Sequence, residues 1–290
     1  MANSPPIAYL NGEFQPLDEV RISPLDRGFL FADGIYEVIP AYNGHMFRLS
    51  EHLARLENGL AGIRLASDIS RTAYQTALEE LVARNGAGNL AIYLQVTRGS
   101  PPTRDHTFPS NIPTTVFAMA NPLKPIAQSV LTHGVAAVTG DDIRWGACHL
   151  KTIALLANVL VRQQAFEQDA AECILIRDGQ LTEGSSSNLF LVADGVILTP
   201  RKDHRILPGI TRDVVLELAA ANDIRYQEQD VPASALETAS EVWITSTTKE
   251  ITPVTSVNGH RIGNGAPGPI WRRMMDLFQK CKGQVSELVA

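Results

Sequence analysis

Three cysteines in 290 residues, Cys148, Cys173 and Cys281, are too few and too scattered for a disulfide framework: the number is odd and no CxxC occurs. A reducing interior is the better fit. The start, MANSPPIAYLNGEF, lacks the charged segment and apolar run of a secretory signal, and no apolar run approaches the length of a membrane span. These absences predict a cytoplasmic protein. A net charge of -6 gives neither the basic footprint of a nucleic-acid binder nor a polybasic arm for anionic membranes. A GxGxxG after a strand, a P-loop, an HExxH and a GxSxG elbow are all missing, and the seven histidines show no metal-ligand spacing, so no metal is expected. Internal repeats and low-complexity tracts are absent as well.

What remains is ordinary globular material, 44% hydrophobic and 19% charged, long enough for one large domain or two smaller ones. Asn11-Gly12 and Asn43-Gly44, each between apolar flanks, predict hairpins. SEHLARLENGLAGIRL reads as a helix capped by Ser50, and SRTAYQTALEELVARNG as a second one stopped by Asn85-Gly86. NLAIYLQVTRG and TTVFAMAN read as strands. ANPLKPIAQ, with two prolines, is the candidate boundary: residues 1–121 form a small α/β part, 122–128 a linker and 129–290 a larger part. In that second part, strands are expected near GVAAVTG, ECILIRDG, SNLFLVADGVILTP and EVWITST, and helices at TRDVVLELAAAN and from about Pro269.

Within HLKTIALLANVL, Lys151 is the only Asp, Glu, Lys or Arg from Trp145 through Val161. Ile153, Leu156, Val159 and Leu160 follow at helical spacing, which predicts a buried helix with the lysine at its head. A cation there opposes the macrodipole. One explanation is a stem lying on the core with its ammonium snorkelling to water. The other is an amine desolvated so that it is neutral and nucleophilic, as Schiff-base chemistry needs.

Four further stretches each have a plain reading and a chemical one. LTEGSSSNLFLV is either a polar turn or a fixed carboxylate, Glu183, suited to keeping a heterocyclic nitrogen protonated. ILPGITRDVVLEL is either a capped helix or an anion site at the first amides, near Ile210 and Thr211. VWITSTTKEITPV is either a solvated loop or a phosphate-binding hydroxyl cluster from Thr245 to Thr248. Arg55 in RLSEHLARL is either a surface arginine or a bidentate phosphate clamp. Together a Schiff-base lysine, a carboxylate for a ring nitrogen and a phosphate cup are the inventory that pyridoxal 5'-phosphate (PLP) requires.

The blocks DRGFLFADGIYEV, EHLARL, YLQVTRG, DIRW, LKTIALLAN, TEGSSSN, LPGITRDVV and TSTTKEITPV occur in the order seen in fold-type IV PLP enzymes, the class IV aminotransferases. The sequence resembles that family, and within it the D-amino acid transaminases. The resemblance implies an α/β architecture: a small N-terminal α/β domain, a larger C-terminal pseudo-barrel domain and PLP in the cleft between them. It implies Lys151 as the Schiff-base lysine and Glu183 as the partner of the pyridine nitrogen. Arg55, Ile210, Thr211, Ser246 and Thr247 would hold the phosphate, and Leu207 would pack on the ring. It also implies a homodimer whose active site is completed by a loop from the other subunit.

In RGSPPTRDHTFP, Arg104 and His106 form an R-x-H pair that, with Tyr36, can grip a carboxylate by charge-assisted hydrogen bonds. The resemblance makes this trio the α-carboxylate trap of a D-enzyme, taking a donor such as D-alanine and an acceptor such as 2-oxoglutarate. Two features of the loop bear on the trap: Pro101 and Pro102 restrict its backbone, and Asp105 sits beside the arginine. An (R)-amine transaminase, a branched-chain L-amino acid transaminase and an aminodeoxychorismate lyase are the alternatives of the same fold.

Overall fold

The computed structural model describes residues 6–86 and 88–287. The first five residues of the MANSPP start and the last three of the C-terminal part lie outside them. The chain divides into two compact units. The first is made of the chain up to Lys124 together with Leu150–Ala154, and the second of Pro125–His149 and Leu155–Gln284.

The first unit is an antiparallel sheet with helices against it. Its strands are β1 (Ile7–Leu10), β2 (Glu13–Pro16), β3 (Gly34–Tyr42), β4 (His45–Met46), β5 (Leu90–Thr97) and β6 (Thr115–Pro122), in the order β2-β1-β6-β5-β3-β4. Its helices are α1 (Arg27–Phe31), α2 (Leu49–Gly62) and α3 (Arg71–Arg84). Both expected hairpins form, with φ of 51° and 100° at Asn11-Gly12 and 50° and 82° at Asn43-Gly44, the paired positive values of a type I′ turn. β5 alternates buried Leu90, Ile92 and Leu94 with half-buried residues, and these join Ile35, Ile39, Leu53, Leu56, Leu60, Leu78 and Leu81 in one core. Ser70 caps α3 by accepting from the Ala73 amide at 3.2 Å. Ser50 does not cap α2 as expected: the helix begins at Leu49, and Arg48, left-handed at φ 57°, is the cap residue.

The second unit carries a ten-stranded mixed sheet. In chain order it contains α4 (Gln128–His133), β7 (Val135–Asp141), α5 (Leu156–Phe166), β8 (Glu172–Arg177), β9 (Gln180–Gly184), β10 (Asn188–Ala193) and β11 (Val196–Pro200). There follow α6 (Ile210–Ala221), β12 (Tyr226–Gln229), β13 (Val231–Pro232), α7 (Ala235–Thr238), β14 (Glu241–Ser246), β15 (Glu250–Val257), β16 (His260–Arg261) and α8 (Pro269–Glu287). The order is β12-β11-β10-β14-β15-β7-β8-β9-β13, with β16 on β15. β7 lies parallel to β8 and β15, and β12 to β11; the other pairs are antiparallel. Continuously buried runs such as Asn188–Val192 mark its central strands. Glu241 accepts from the Ile270 and Trp271 amides at 2.9 and 2.7 Å, which fixes the start of α8.

The segment around Lys151 departs from the helical expectation. The helix α5 starts only at Leu156, and Thr152 forms an isolated antiparallel bridge with Ile35 of β3. The Tyr36 amide donates to the Lys151 carbonyl at 3.0 Å and the Ile153 amide to the Gly34 carbonyl at 3.1 Å. These backbone groups are satisfied by a strand, so no helical turn is needed there. Nor is the apolar stripe buried: Leu156, Val159 and Leu160 are 72%, 59% and 54% exposed, while Val161 and Ala165 face the core.

Candidate active site

In the first unit, β3 carries Tyr36 and Glu37 on opposite faces, as neighbours on a strand must be. Lys151 Nζ lies 4.3 Å from the centre of the Tyr36 ring, and that ring stacks on Tyr93 at 5.6 Å. Glu37 is fully buried. Its carboxylate accepts Arg55 Nε at 2.7 Å and Arg55 Nη2 at 2.8 Å, and its Oε2 lies 2.8 Å from His52 Nδ1. Burial alone would raise the Glu37 pKa; the charge and hydrogen bonds of Arg55, helped by His52, outweigh it and bring the value down to about 2. Burial is also the main reason that the His52 pKa is lowered. Arg55 is thus a buried, oriented guanidinium, one helical turn from His52, rather than a surface arginine.

Arg104 and His106 sit on the exposed loop after β5 and gather on Phe31 of α1. Arg104 Cζ is 4.7 Å from that ring's centre and the His106 ring 4.9 Å. Asp105 does not draw on the arginine: its Oδ1 accepts from the Thr107 amide at 2.8 Å and the Thr107 hydroxyl at 2.9 Å. Among the described residues, no hydrogen bond, ion pair or ring contact joins Tyr36 to Arg104 or His106 within the single chain.

In the second unit, Glu183 lies in β9 just before the turn to β10 and is buried. Its Oε1 meets Arg144 Nη1, and its Oε2 accepts Asn188 Nδ2 at 3.0 Å and the Leu207 amide at 3.1 Å. Burial pushes the Glu183 pKa up to about 7, although Arg144 and the Leu207 amide pull the other way. Arg144 is already committed to Asp142, with Nε to Oδ1 and Nη2 to Oδ2 both at 2.8 Å. Leu207 is half-buried and hands its carbonyl to Asn188 Nδ2 at 2.8 Å, so one side chain ties Glu183 to the Leu207 backbone.

Ile210 and Thr211 are the first two residues of α6. Its cap residue, Gly209, supplies no side-chain acceptor to the first-turn amides, and a Cβ there would come within 1.9 Å of Asn188 Oδ1. Ser246 closes β14 and Thr247 follows it, both half-buried; Ser246 Oγ accepts from the Lys249 amide at 3.2 Å. Next to them Thr245 Oγ1, buried, finds no hydrogen-bond partner among the described residues.

Several contacts around these residues have no local signal in the sequence. Arg144 stands in the DIRW block, Asn188 ends TEGSSSN and Glu37 adjoins Tyr36, yet none shows a local pattern that names its role. Glu172 is the same: buried, it takes the Ser185 amide and hydroxyl and the Ser187 hydroxyl, the last at 2.8 Å, and so fixes the turn after Glu183.

Residues 34–257 match the model of the amino-transferase class IV family. A D-alanine aminotransferase of Bacillus licheniformis is 43% identical over 93% of this chain and 94% of its own. One of Listeria monocytogenes (strain EGD-e) is 38% identical over 93% of each. Among solved structures, the branched-chain amino acid aminotransferase of Escherichia coli superposes with a TM-score of 0.88 at 26% identity, over 94% of this chain and 93% of that one. A T.th. branched-chain amino acid aminotransferase with pyridoxamine 5'-phosphate gives 0.89 at 27%, with the same coverage. Most of the chain therefore aligns with enzymes of one kind by sequence and by structure, and the protein belongs to the class IV aminotransferases.

Proposed function

We propose that this chain is a PLP-dependent transaminase that moves the amino group of a D-amino acid such as D-alanine to a 2-oxo acid such as 2-oxoglutarate, giving D-glutamate. The observation that carries the substrate choice is the Arg104–His106 pair held on the Phe31 ring, two side chains with no hydrogen-bond partner among the described residues and so suited to a carboxylate. Relatives named D-alanine aminotransferase at up to 43% identity support it.

The residues present fit the cofactor. Glu183, buried and incompletely compensated, suits a protonated ring nitrogen. The uncapped first turn of α6 at Ile210 and Thr211, the hydroxyls of Ser246 and Thr247, and the Arg55 guanidinium suit a phosphate. Leu207 offers an apolar side chain for the ring. Lys151 would hold the cofactor through Nζ. When bound, the cofactor supplies an electron sink for the substrate carbon that loses its proton.

The chain's own residues then divide the work. Lys151, besides holding the cofactor, would take the substrate's α-proton on Nζ as general base and give it up again as general acid. Tyr36, with Arg104 and His106, binds the substrate carboxylate and so selects which face of the α-carbon meets Lys151. Glu37 keeps Arg55 oriented, because a bidentate carboxylate leaves a guanidinium little freedom.

The working unit is a homodimer in the cytoplasm, its site completed by a loop of the other subunit. The exposed Leu156, Val159 and Leu160 on α5 support the dimer, being an apolar stripe that water covers poorly. Among the described residues no helix is long and apolar enough to cross a membrane.

The test is the absorbance of the purified protein before and after D-alanine, with L-leucine and an (R)-amine in parallel. Bleaching of a yellow protein by D-alanine alone, lost in Lys151→Ala, is the expected result. Bleaching by L-leucine, for which the branched-chain neighbours at 26–27% identity give a reason, overturns the substrate choice. A colourless protein that stays so with added PLP overturns the cofactor reading.

A further inference from the structure

We infer that Arg27 and Phe31 of α1 are positioning residues that set the geometry of the Arg104–His106 pair, and through it the affinity for the substrate's carboxylate. This rests on the carboxylate-binding role of that pair proposed above.

Three consecutive carbonyls of the loop converge on one guanidinium. Arg27 Nη1 donates to the carbonyls of Asp105 and Thr107, the latter at 3.2 Å, and Nη2 to that of His106, also at 3.2 Å. The side chain is 4% exposed, so these bonds form out of competition with water. The Phe31 ring then takes the loop's side chains, Arg104 Cζ at 4.7 Å and the His106 ring at 4.9 Å, along with Arg27 Cζ itself at 4.9 Å.

The chemistry of these contacts matters. A ring face attracts a cation through its quadrupole without neutralising it. Held by a carboxylate instead, Arg104 would spend its donors inside the protein. Here the adjacent acid, Asp105, is turned onto Thr107, which leaves the arginine's charge for a ligand. Two long or planar side chains on an exposed loop would otherwise disperse among rotamers.

The platform is itself anchored. Asp33 accepts Arg27 Nε at 2.8 Å and Arg98 through Nε and Nη2 at 2.8 and 3.0 Å, so one carboxylate fixes two guanidiniums. Arg98 in turn donates to the Ile63 and Arg64 carbonyls and lies 3.7 Å over the Phe108 ring, just beyond the trap. Asp26, buried, caps α1 at the Gly28 amide and accepts the Thr97 hydroxyl, at 2.8 and 3.0 Å. A five-residue helix has no stability of its own, so these ties decide where Phe31 stands.

The experiment uses holoenzyme and follows bleaching of the bound cofactor against D-alanine concentration, with propanoate as an unreactive carboxylate competitor. Arg27→Gln and Phe31→Leu are compared with the Arg104→Ala/His106→Ala double variant. Each single variant is expected to raise the half-saturating D-alanine concentration about tenfold or more and to weaken propanoate equally, with the limiting rate changed less than about threefold. Added to the double variant, Arg27→Gln should cost less than about twofold further, because the groups it positions are gone.

An additive loss in that background, or a fall in the limiting rate with half-saturation unchanged, overturns the inference and leaves α1 a merely structural element. Normal D-alanine and propanoate affinity in the double variant instead overturns the carboxylate reading of Arg104 and His106, and this inference with it. If Arg27→Gln yields no holoenzyme, Phe31→Leu, which removes the ring but no ion, carries the same comparison.

Discussion

Two buried glutamates, one in each unit, meet an arginine and shift their pKa values in opposite directions. Glu37 has Arg55 on both oxygens and His52 on one of them, and its pKa falls to about 2. Glu183 has Arg144 on one oxygen, but that arginine is shared with Asp142, and its pKa rises to about 7. Burial opposes the charge of each, so the difference lies in how much cation is dedicated to each carboxylate. Glu37 is a finished ion pair whose product is the orientation of Arg55. Glu183 is an unfinished one, with room for a further positive charge such as a protonated ring nitrogen.

The contrast breaks most visibly in turnover. Glu183→Gln keeps the shape but removes the charge, and D-alanine turnover of the cofactor-loaded enzyme should fall by about a hundredfold or more. Steady-state kinetics check this; turnover within a few fold of the unsubstituted enzyme would mean that Glu183 has no electrostatic task. Glu37→Gln should act on stability instead. Leaving Arg55 buried without its carboxylate costs about 3 kcal/mol, read from the midpoint of denaturant unfolding. Cofactor should be lost more readily from that variant on dialysis, since Arg55 is no longer held.

The pH dependence separates the pair with opposite signs. The folded pKa of Glu37 is depressed, so its stabilisation is present above about 4.5 and is lost as pH falls toward about 2. That of Glu183 is raised, so in the protein without cofactor its contribution is present below about 4.5 and lost as pH rises through about 7. A cation supplied by the cofactor reverses the second effect. The gain in melting temperature on adding PLP should therefore widen from pH 5 to 7, and Glu183→Gln should flatten it; equal widening in that variant would sink the argument. The smallest effect is expected at Thr245, the first residue of the hydroxyl cluster: its buried hydroxyl has no partner among the described residues, so Thr245→Val should change cofactor-free stability by less than about 1 kcal/mol. A larger loss in thermal unfolding would reveal a contact that the chain alone does not show.

Much of this was legible in the residues. Asn-Gly pairs need positive φ wherever they fall, so both hairpins could be read locally. Glu183, Ile210 and Thr211, and Ser246 and Thr247 stand at strand ends and a helix start, positions that local pattern reveals. Ile153, Leu156, Val159 and Leu160 keep a helical period, while the hydrogen bonds that hold the backbone at Lys151 and Ile153 come from β3, more than a hundred residues earlier. Arg144, Asn188, Glu37 and Arg27 were missed for the same reason. Their meaning lies in what they touch, and those contacts span sequence separations with no pattern of their own.

The sequence by itself determined the chemical inventory: an isolated lysine in apolar surroundings, a carboxylate before three serines, hydroxyls after a strand, an R-x-H pair, and the ordered blocks of class IV aminotransferases. Only the tertiary structure decided which unit takes Lys151, that Arg55 is locked by Glu37, that Glu183 keeps an incompletely balanced charge, and that Arg104 and His106 rest on a ring rather than on an acid. Residue types and local periods are written along the chain. Desolvation and charge balance depend on which distant groups come within a few ångströms of one another, and folding alone sets those distances.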